Sequence, residues 1–408
     1  MTTADTVPYG IPLDRERPFD PPAAVMALHR EAPLRRLRYY PDGALGWLVT
    51  SHRLGRLVLA DPRFKSRFTA PVKVPVPMPG LEEFAGFEGD LPVTPGMFIE
   101  MDGAEHTRLR RKLTGVFTVR RMKRMEPLIA DIVDARLDLL ESAGAPVDLA
   151  AEFALPVPSL VICELLGVPY ADRDHFLADS STLLTMTATM EEKGLAQQRI
   201  FGYLGELVAA KKAEPTDDLL SDLAADDDLS AEEMIGLGAL LLIAGHETTA
   251  KMIGLGAMAL LENRDQWELL RGRPELMAGG VEELLRYVGV IHTGIIRQAR
   301  EDIELDGELI KAGEYLTVSV QTANRDEEHF ADPDIFDVTN ETRGHLTFGH
   351  GVHQCLGQQL ARIEMRIAFE RLIRRFPDLR LAVPASQVPL RTDQNFYGVT
   401  ELPVTWRS

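Results

Sequence analysis

Residues 348–357 read FGHGVHQCLG, and the reading of its single thiol decides the fold. The chain of 408 residues holds only two cysteines, Cys163 and Cys355, so neither a disulfide framework nor a four-thiolate metal cage is available. Cys163 lies in the apolar run SLVICELLG and reads as a small core residue. Cys355 sits among glycines and histidines, at the start of the helical pattern LGQQLARIEMRIAFERLIRRF. A helix N-terminus presents free N–H groups and positive potential, which predicts a thiolate at this position. Gly349 and Gly351 let the backbone turn tightly around the sulfur, and Gly357 lets a flat body approach the helix.

Composition excludes several function classes. With 45% hydrophobic residues the chain has material for a large core, and its formal charge of −18 argues against general affinity for nucleic acid or anionic membrane. Two cysteines suit a reducing compartment, and residues 1–30 carry prolines and charges where a signal or anchor needs an unbroken apolar run. A cytoplasmic, unanchored monomer is expected. No repeat or long linker interrupts the sequence, so residues 1–408 read as one domain, with about 1–15 a loose N-terminal segment.

From about residue 105 the apolar spacing is mostly helical, while strand-like alternation is confined to pieces near 36–49, 292–317 and 388–406. The expected fold is mainly α with small β-sheets at one side. Residues 66–100 hold six prolines and few helix signals, which predicts a long ordered loop and a candidate lid. Residues 214–230, EPTDDLLSDLAADDDLS, are acidic around one short helix and read as solvated surface. In contrast, residues 108–124 hold eight Lys or Arg and no acid, either a solvated helix face or a docking patch for an anionic partner or cofactor.

The longest helical pattern opens with the capping box Ser230-Ala231-Glu232-Glu233 and runs to Glu262. At about 1.5 Å per residue it spans roughly 48 Å. Its middle, IGLGALLLIAGHETTA, is apolar nearly all round until Gly245, which marks a buried central helix too soon interrupted for a membrane span. His246, Glu247, Thr248 and Thr249 then place polar groups where the helix should be dry. A structural role stays open, since a buried threonine can bond back to its own helix and Glu247 can pair with a distant base.

For Cys355 three readings compete. It is a core residue, a zinc ligand beside His345, His350 and His353, or a thiolate bound axially to haem iron. The zinc reading lacks the short C-x-x-C or H-x-x-x-H pairs of structural sites. The haem reading predicts polar and acidic groups on a second element facing the open side of the iron.

At this point FGHGVHQCLG resembles the haem-binding loop of the cytochrome P-450 family, Phe-x-x-Gly-x-x-x-Cys-x-Gly, filled here by Phe348, Gly351, Cys355 and Gly357. The family's Glu-x-x-Arg pair is matched by Glu283 and Arg286, and its Ala/Gly-Gly-x-acid-Thr element by Ala244, Gly245, His246, Glu247 and Thr248. The match extends over nearly the whole chain and looks like the soluble bacterial branch with EHTRLRR and ANRD segments. The resemblance implies a single triangular domain whose central helix crosses haem b. It implies Cys355 as the iron ligand, with Ala244, Phe348, Gly349 and Gly357 against the haem and His106, Arg110, Arg297 and His353 on its propionates. In one departure, Ile335 stands where many members place an Arg supporting the Glu-Arg pair, and Arg343 is a candidate substitute.

The activity implied is reductive activation of O2 and insertion of one oxygen atom into a C–H bond. Thr248 would hydrogen-bond the reacting oxygen and Glu247 would relay protons to it. Electrons would come from NAD(P)H through a ferredoxin reductase and a ferredoxin docking near 108–124. Met97, Phe98, Leu240, Ile243, Thr293, Ile295 and Phe396 are the expected pocket lining, suited to a bulky apolar molecule such as a macrolide, other polyketide, terpenoid or steroid. The rival activities are nitric oxide reduction, peroxide-driven chemistry and non-catalytic haem sensing.

Overall fold

In the computed structural model, residues 7–84 and 87–407 are described. The central helix Ala231–Glu262 begins and ends where the sequence predicts. Ser230 Oγ accepts from Glu233 N–H at 3.1 Å while the Glu233 carboxylate accepts from Ser230 N–H at 3.0 Å, so both halves of the capping box close. Around it pack the helices Pro156–Leu166, Met190–Ala213, Met277–Val288 and Gln358–Arg375. Gly245 permits the closest of these approaches: a methyl there would lie 2.7 Å from Ile162. Their apolar faces join in one core that runs from Phe98 to Val404.

The strands collect in small sheets. The largest has five strands in the order Leu34–Tyr39, Ala44–Val49, Tyr315–Val318, Ile295–Ala299 and Phe64–Lys65, with one parallel pairing, between the second and third. Arg297 pairs with Leu316 across it, which fixes the direction of the arginine. Leu390–Arg391 pairs with Gly398–Val399, and the turn between them reaches back to the stretch after Val288 through an Ile291–Phe396 bridge.

The 66–100 segment is a long connection tied down at intervals. Tyr40 bridges Val74, and Thr69 bridges Asp90. At its end Pro95 and Gly96 press against the first turns of the central helix. A Cβ on Gly236 would lie 1.8 Å from the Pro95 oxygen, and one on Gly96, where φ is +85°, would lie 2.3 Å from the Glu233 oxygen. Only glycine at both positions lets the two backbones meet.

Two expectations need correction. The segment 1–15 is not loose from residue 7 onward: Tyr9 bridges Arg38, Ile11 is buried with Val25 and Leu37, and Arg15 donates to the Gly289 carbonyl at 2.9 Å beneath the Tyr397 ring. Residues 1–6 lie outside the described residues. Nor is 214–230 mere solvated surface. The helix Leu219–Ala224 buries Leu219, Leu220 and Leu223, and this anchoring sets its acids against the basic segment. Arg121 pairs with Asp222 at 2.8 Å, and Lys112 with Asp226 and Asp228 at 2.8 and 3.0 Å.

Candidate active site

The cysteine loop is held by its own backbone. Gly349 N–H donates to the Leu346 carbonyl and Cys355 N–H to the Phe348 carbonyl, both at 2.8 Å, which curls residues 346–355 around the sulfur before the helix Gln358–Arg375 starts. Gly351, at φ +74°, packs so that a Cβ would lie 2.4 Å from the Leu59 oxygen. Gly357 differs: its φ is ordinary and a Cβ there would meet no protein atom within 4 Å, so protein packing gives no reason for glycine. Phe348 is covered on one face by the Arg362 guanidinium, 4.5 Å from its ring centre.

Cys355 is an exposed residue although protein atoms closely surround its sulfur, whereas Cys163 is buried. The surroundings of the sulfur act in both directions. Burial pushes the Cys355 thiol up, and the N–H groups of Gly357 and Gln358 with Arg110 and Arg362 only partly offset it. A bound metal ion would favour the thiolate.

Four expected anion-binding residues converge beside this loop. His106 and Arg110 lie four residues apart on one face of the helix Gly103–Thr114. The His106 and His353 rings are 4.3 Å apart; the Nε2 atom of His106 is buried without a hydrogen-bond partner, while that of His353 faces the Asp102 carboxylate at 3.5 Å. Burial first, then His353 and Arg110, pulls His106 down to about 4. Arg110 donates to the Gln354 carbonyl, and buried Arg297 donates to Ile296 at 2.8 Å while burial lowers it to about 10. The orphaned His106 nitrogen beside His353, half-buried Arg110 and buried Arg297 makes a cluster rich in donors, whose arginines meet only main-chain carbonyls here. Such a set fits the two carboxylates of a haem, and the open face of Gly357 fits its ring.

Sequence reasoning missed Asp102, which orders the cluster. Its carboxylate accepts from Ser66 and Arg67 N–H at 3.1 and 2.9 Å, pairs with Arg300 at 3.0 Å and stands 3.5 Å from His353. Burial would raise it, but these partners win and hold it well below the usual carboxylate range. A lone Asp before EHTRLRR reads as a helix cap, although Asp102 caps nothing with its side chain.

On the central helix, Ala244 and Thr248 keep accessible surface in the middle of an otherwise buried element. The Thr248 hydroxyl donates to the Ala244 carbonyl at 3.1 Å, the back-bonding left open by the sequence, and its lone pairs remain able to accept. Glu247 is buried, and the base it meets is one turn away: Lys251 Nζ at 3.2 Å. His246 donates from Nδ1–H to the Leu242 carbonyl at 2.7 Å, and its ring meets Phe176.

Glu283 and Arg286 form a fully buried two-point ion pair with both contacts at 2.8 Å. Arg343, the candidate substitute for the absent arginine at 335, does not take that place: it is exposed and, among the described residues, makes no ion pair. The support is backbone instead. Arg286 donates to the carbonyls of Asn324, Pro333 and Ile335, and Glu283 accepts from Asp337 N–H and Asn340.

Of the expected pocket lining, Met97, Ile243, Ile295 and Phe396 keep accessible surface, while Phe98, Leu240 and Thr293 are buried. Phe98 packs on His106 at 5.8 Å. Ile295 reaches to 3.8 Å from the Gly349 Cβ direction, which places this strand beside the cysteine loop. Among the described residues, no three His, Cys, Asp or Glu side chains are placed to cage a metal ion, and no helix is long and apolar enough to cross a membrane.

Comparison with known proteins agrees with this arrangement. Residues 265–404 match the family model for cytochrome P450. Cytochrome P450-SU2 of Streptomyces griseolus is 44% identical, covering 100% of both chains. Pentalenic acid synthase of Streptomyces avermitilis is 42% identical over 99% of each chain. The crystal structure of CYP105P1 in complex with filipin I superposes with a TM-score of 0.90 at 40% identity, covering 98% of this chain and 99% of that one. The chain therefore belongs to the cytochrome P450 family of haem-thiolate monooxygenases.

Proposed function

We propose that the protein hydroxylates or epoxidises a bulky, largely apolar secondary metabolite of the polyketide, macrolide, terpenoid or steroid kind, using electrons delivered by a ferredoxin. The observation that carries this is the pairing of the exposed Cys355 on the glycine loop with an accessible Ala244–Thr248 face at the middle of a buried helix. The names of the similar proteins, a pentalenic acid synthase and a filipin complex, support the same substrate range.

When bound, the haem supplies reductive O2 activation, with one oxygen atom inserted into the substrate and the other released as water. Cys355 would be its protein ligand, held in place by the Phe348 carbonyl. His106, Arg110, Arg297 and His353 would bind its carboxylates, and in doing so satisfy the orphaned His106 nitrogen. Met97, Ile243, Ile295 and Phe396 would exclude water and orient the substrate. The Thr248 hydroxyl, which donates to the Ala244 carbonyl here, would offer a hydrogen-bonding group on the haem-facing side of the helix, and Glu247 would relay protons to it.

A panel of macrolides, terpenoids and steroids, screened by the shift of haem absorption and then incubated with NADPH, ferredoxin and reductase, tests the reading. Oxygenated product from at least one class is expected. Turnover of nitric oxide without product, or product from peroxide alone, would replace it with the rival chemistry. Thr248→Ala is expected to send electrons to hydrogen peroxide with a loss of product of roughly 10- to 100-fold. Unchanged coupling would remove Thr248 from the reaction.

A further inference from the structure

We infer that Lys251 is a positioning residue for Glu247, holding its carboxylate ready beside Thr248; the inference rests on the reading of Glu247 as the proton-handling group. Both side chains are about a tenth exposed, and among the described residues each is the other's sole ion-pair partner. The surrounding helix is apolar: Met252, Ile253 and Leu255 are buried alongside. A lysine here is costly unless a counter-charge meets it, and loss of either partner leaves the other desolvated and unpaired. Glu followed four residues later by Lys is also the favourable order on a helix.

The slot for the lysine comes from a distant part of the chain. Residue 398 is glycine, and a Cβ there would lie 2.8, 2.9 and 3.1 Å from Lys251 Cδ, Cγ and Cβ. Gly398 opens the strand Gly398–Val399, two residues after Phe396. The C-terminal turn that borders the cavity therefore also walls the lysine stem, and through it fixes where the ammonium sits. No hydrogen bond joins Glu247 to Thr248 here, and the Thr248 hydroxyl is engaged with Ala244. The carboxylate is thus placed by Lys251, one turn away, and its reach toward Thr248 is set by that tether.

The test is a double-mutant cycle on the haem-loaded protein with Lys251→Met, Glu247→Gln and both. Lys251→Met is expected to lower Tm by about 4 °C or more when Glu247 is present and far less in the Glu247→Gln background. Equal falls in both backgrounds overturn the pair. The second readout needs no substrate: electrons from NADPH, a plant-type ferredoxin and its reductase are partitioned between hydrogen peroxide and water. Lys251→Met is expected to raise the peroxide share roughly threefold, and the double variant to go no higher than Glu247→Gln alone. Imidazole affinity, read from the haem absorption, stays unchanged, as a merely structural defect in the cavity would not allow. Wild-type partitioning in Lys251→Met with a defect in Glu247→Gln overturns the positioning role alone; wild-type partitioning in Glu247→Gln overturns the reading of Glu247 as well. Should Lys251→Met not fold, Gly398→Ala keeps both charges and crowds the stem. It is expected to raise peroxide only when Glu247 is present, and unchanged peroxide there counts against the inference.

Discussion

Arg286 is satisfied by one carboxylate and three backbone carbonyls, so the residue at 335 contributes its carbonyl and not its side chain, which is 59% exposed. Ile335→Arg is accordingly expected to change stability by no more than about 0.5 kcal/mol in urea unfolding, while Arg286→Leu, which strands Glu283, costs about 3–5 kcal/mol. Glu282 gives a pH prediction. Burial alone would raise its carboxyl, but His345 at 3.1 Å and Arg362 outweigh it and hold it at about 2 against an ordinary 4.5. A depressed carboxylate stabilises fully above its unfolded value and loses that contribution as pH falls. Stability should therefore decline between about pH 4.5 and 2 by at most about 3 kcal/mol, a slope that Glu282→Gln lacks in acid titration. At this scale the sequence is legible where chemistry is local. The Glu-x-x-x-Lys spacing was there to be read at 247 and 251, and the Cys355 loop announces its glycines. A carbonyl standing in for an arginine leaves no mark in residue identity.

Among the elements, the central helix was readable end to end because its capping box and apolar surface are contiguous in the chain. The lid was not. The helix Asp174–Leu184 closes on the C-terminal turn through backbone bonds, Met186 N–H to the Asp393 carbonyl at 2.9 Å and Asn395 N–H to Leu184 at 3.0 Å. Buried Gln394 adds bonds to the Ser181 hydroxyl and carbonyl at 2.9 and 3.2 Å. Main-chain pairings across two hundred residues carry no side-chain pattern, so only the fold displays them. Since Gln394 supplies the side-chain part of this latch, Gln394→Ala should speed amide exchange in 181–186 by roughly 10-fold while leaving the central helix protected. Equal protection in the variant would show that the main-chain bonds suffice.

For the whole molecule, the separation of charge along the sequence is undone by folding. Arg108, Lys112 and Arg121 meet acids from 222–233, whereas Arg111, Arg120, Lys123 and Arg124 have no carboxylate partner among the described residues. If ferredoxin docks on this island, Arg120→Glu should slow haem reduction at low salt more than Arg121→Glu, whose partner Asp222 already screens it. Stopped-flow rates at two ionic strengths decide, and equal effects would place docking elsewhere. The contact of Gly96 with Gly236 has a consequence for anyone who would recombine this protein with a relative. It sets apart, at the end of the 66–100 segment, an abutment that begins at Pro95 and carries Met97. A graft that crosses Gly96 must bring its own residue 236, since the two positions form one joint cut from both sides.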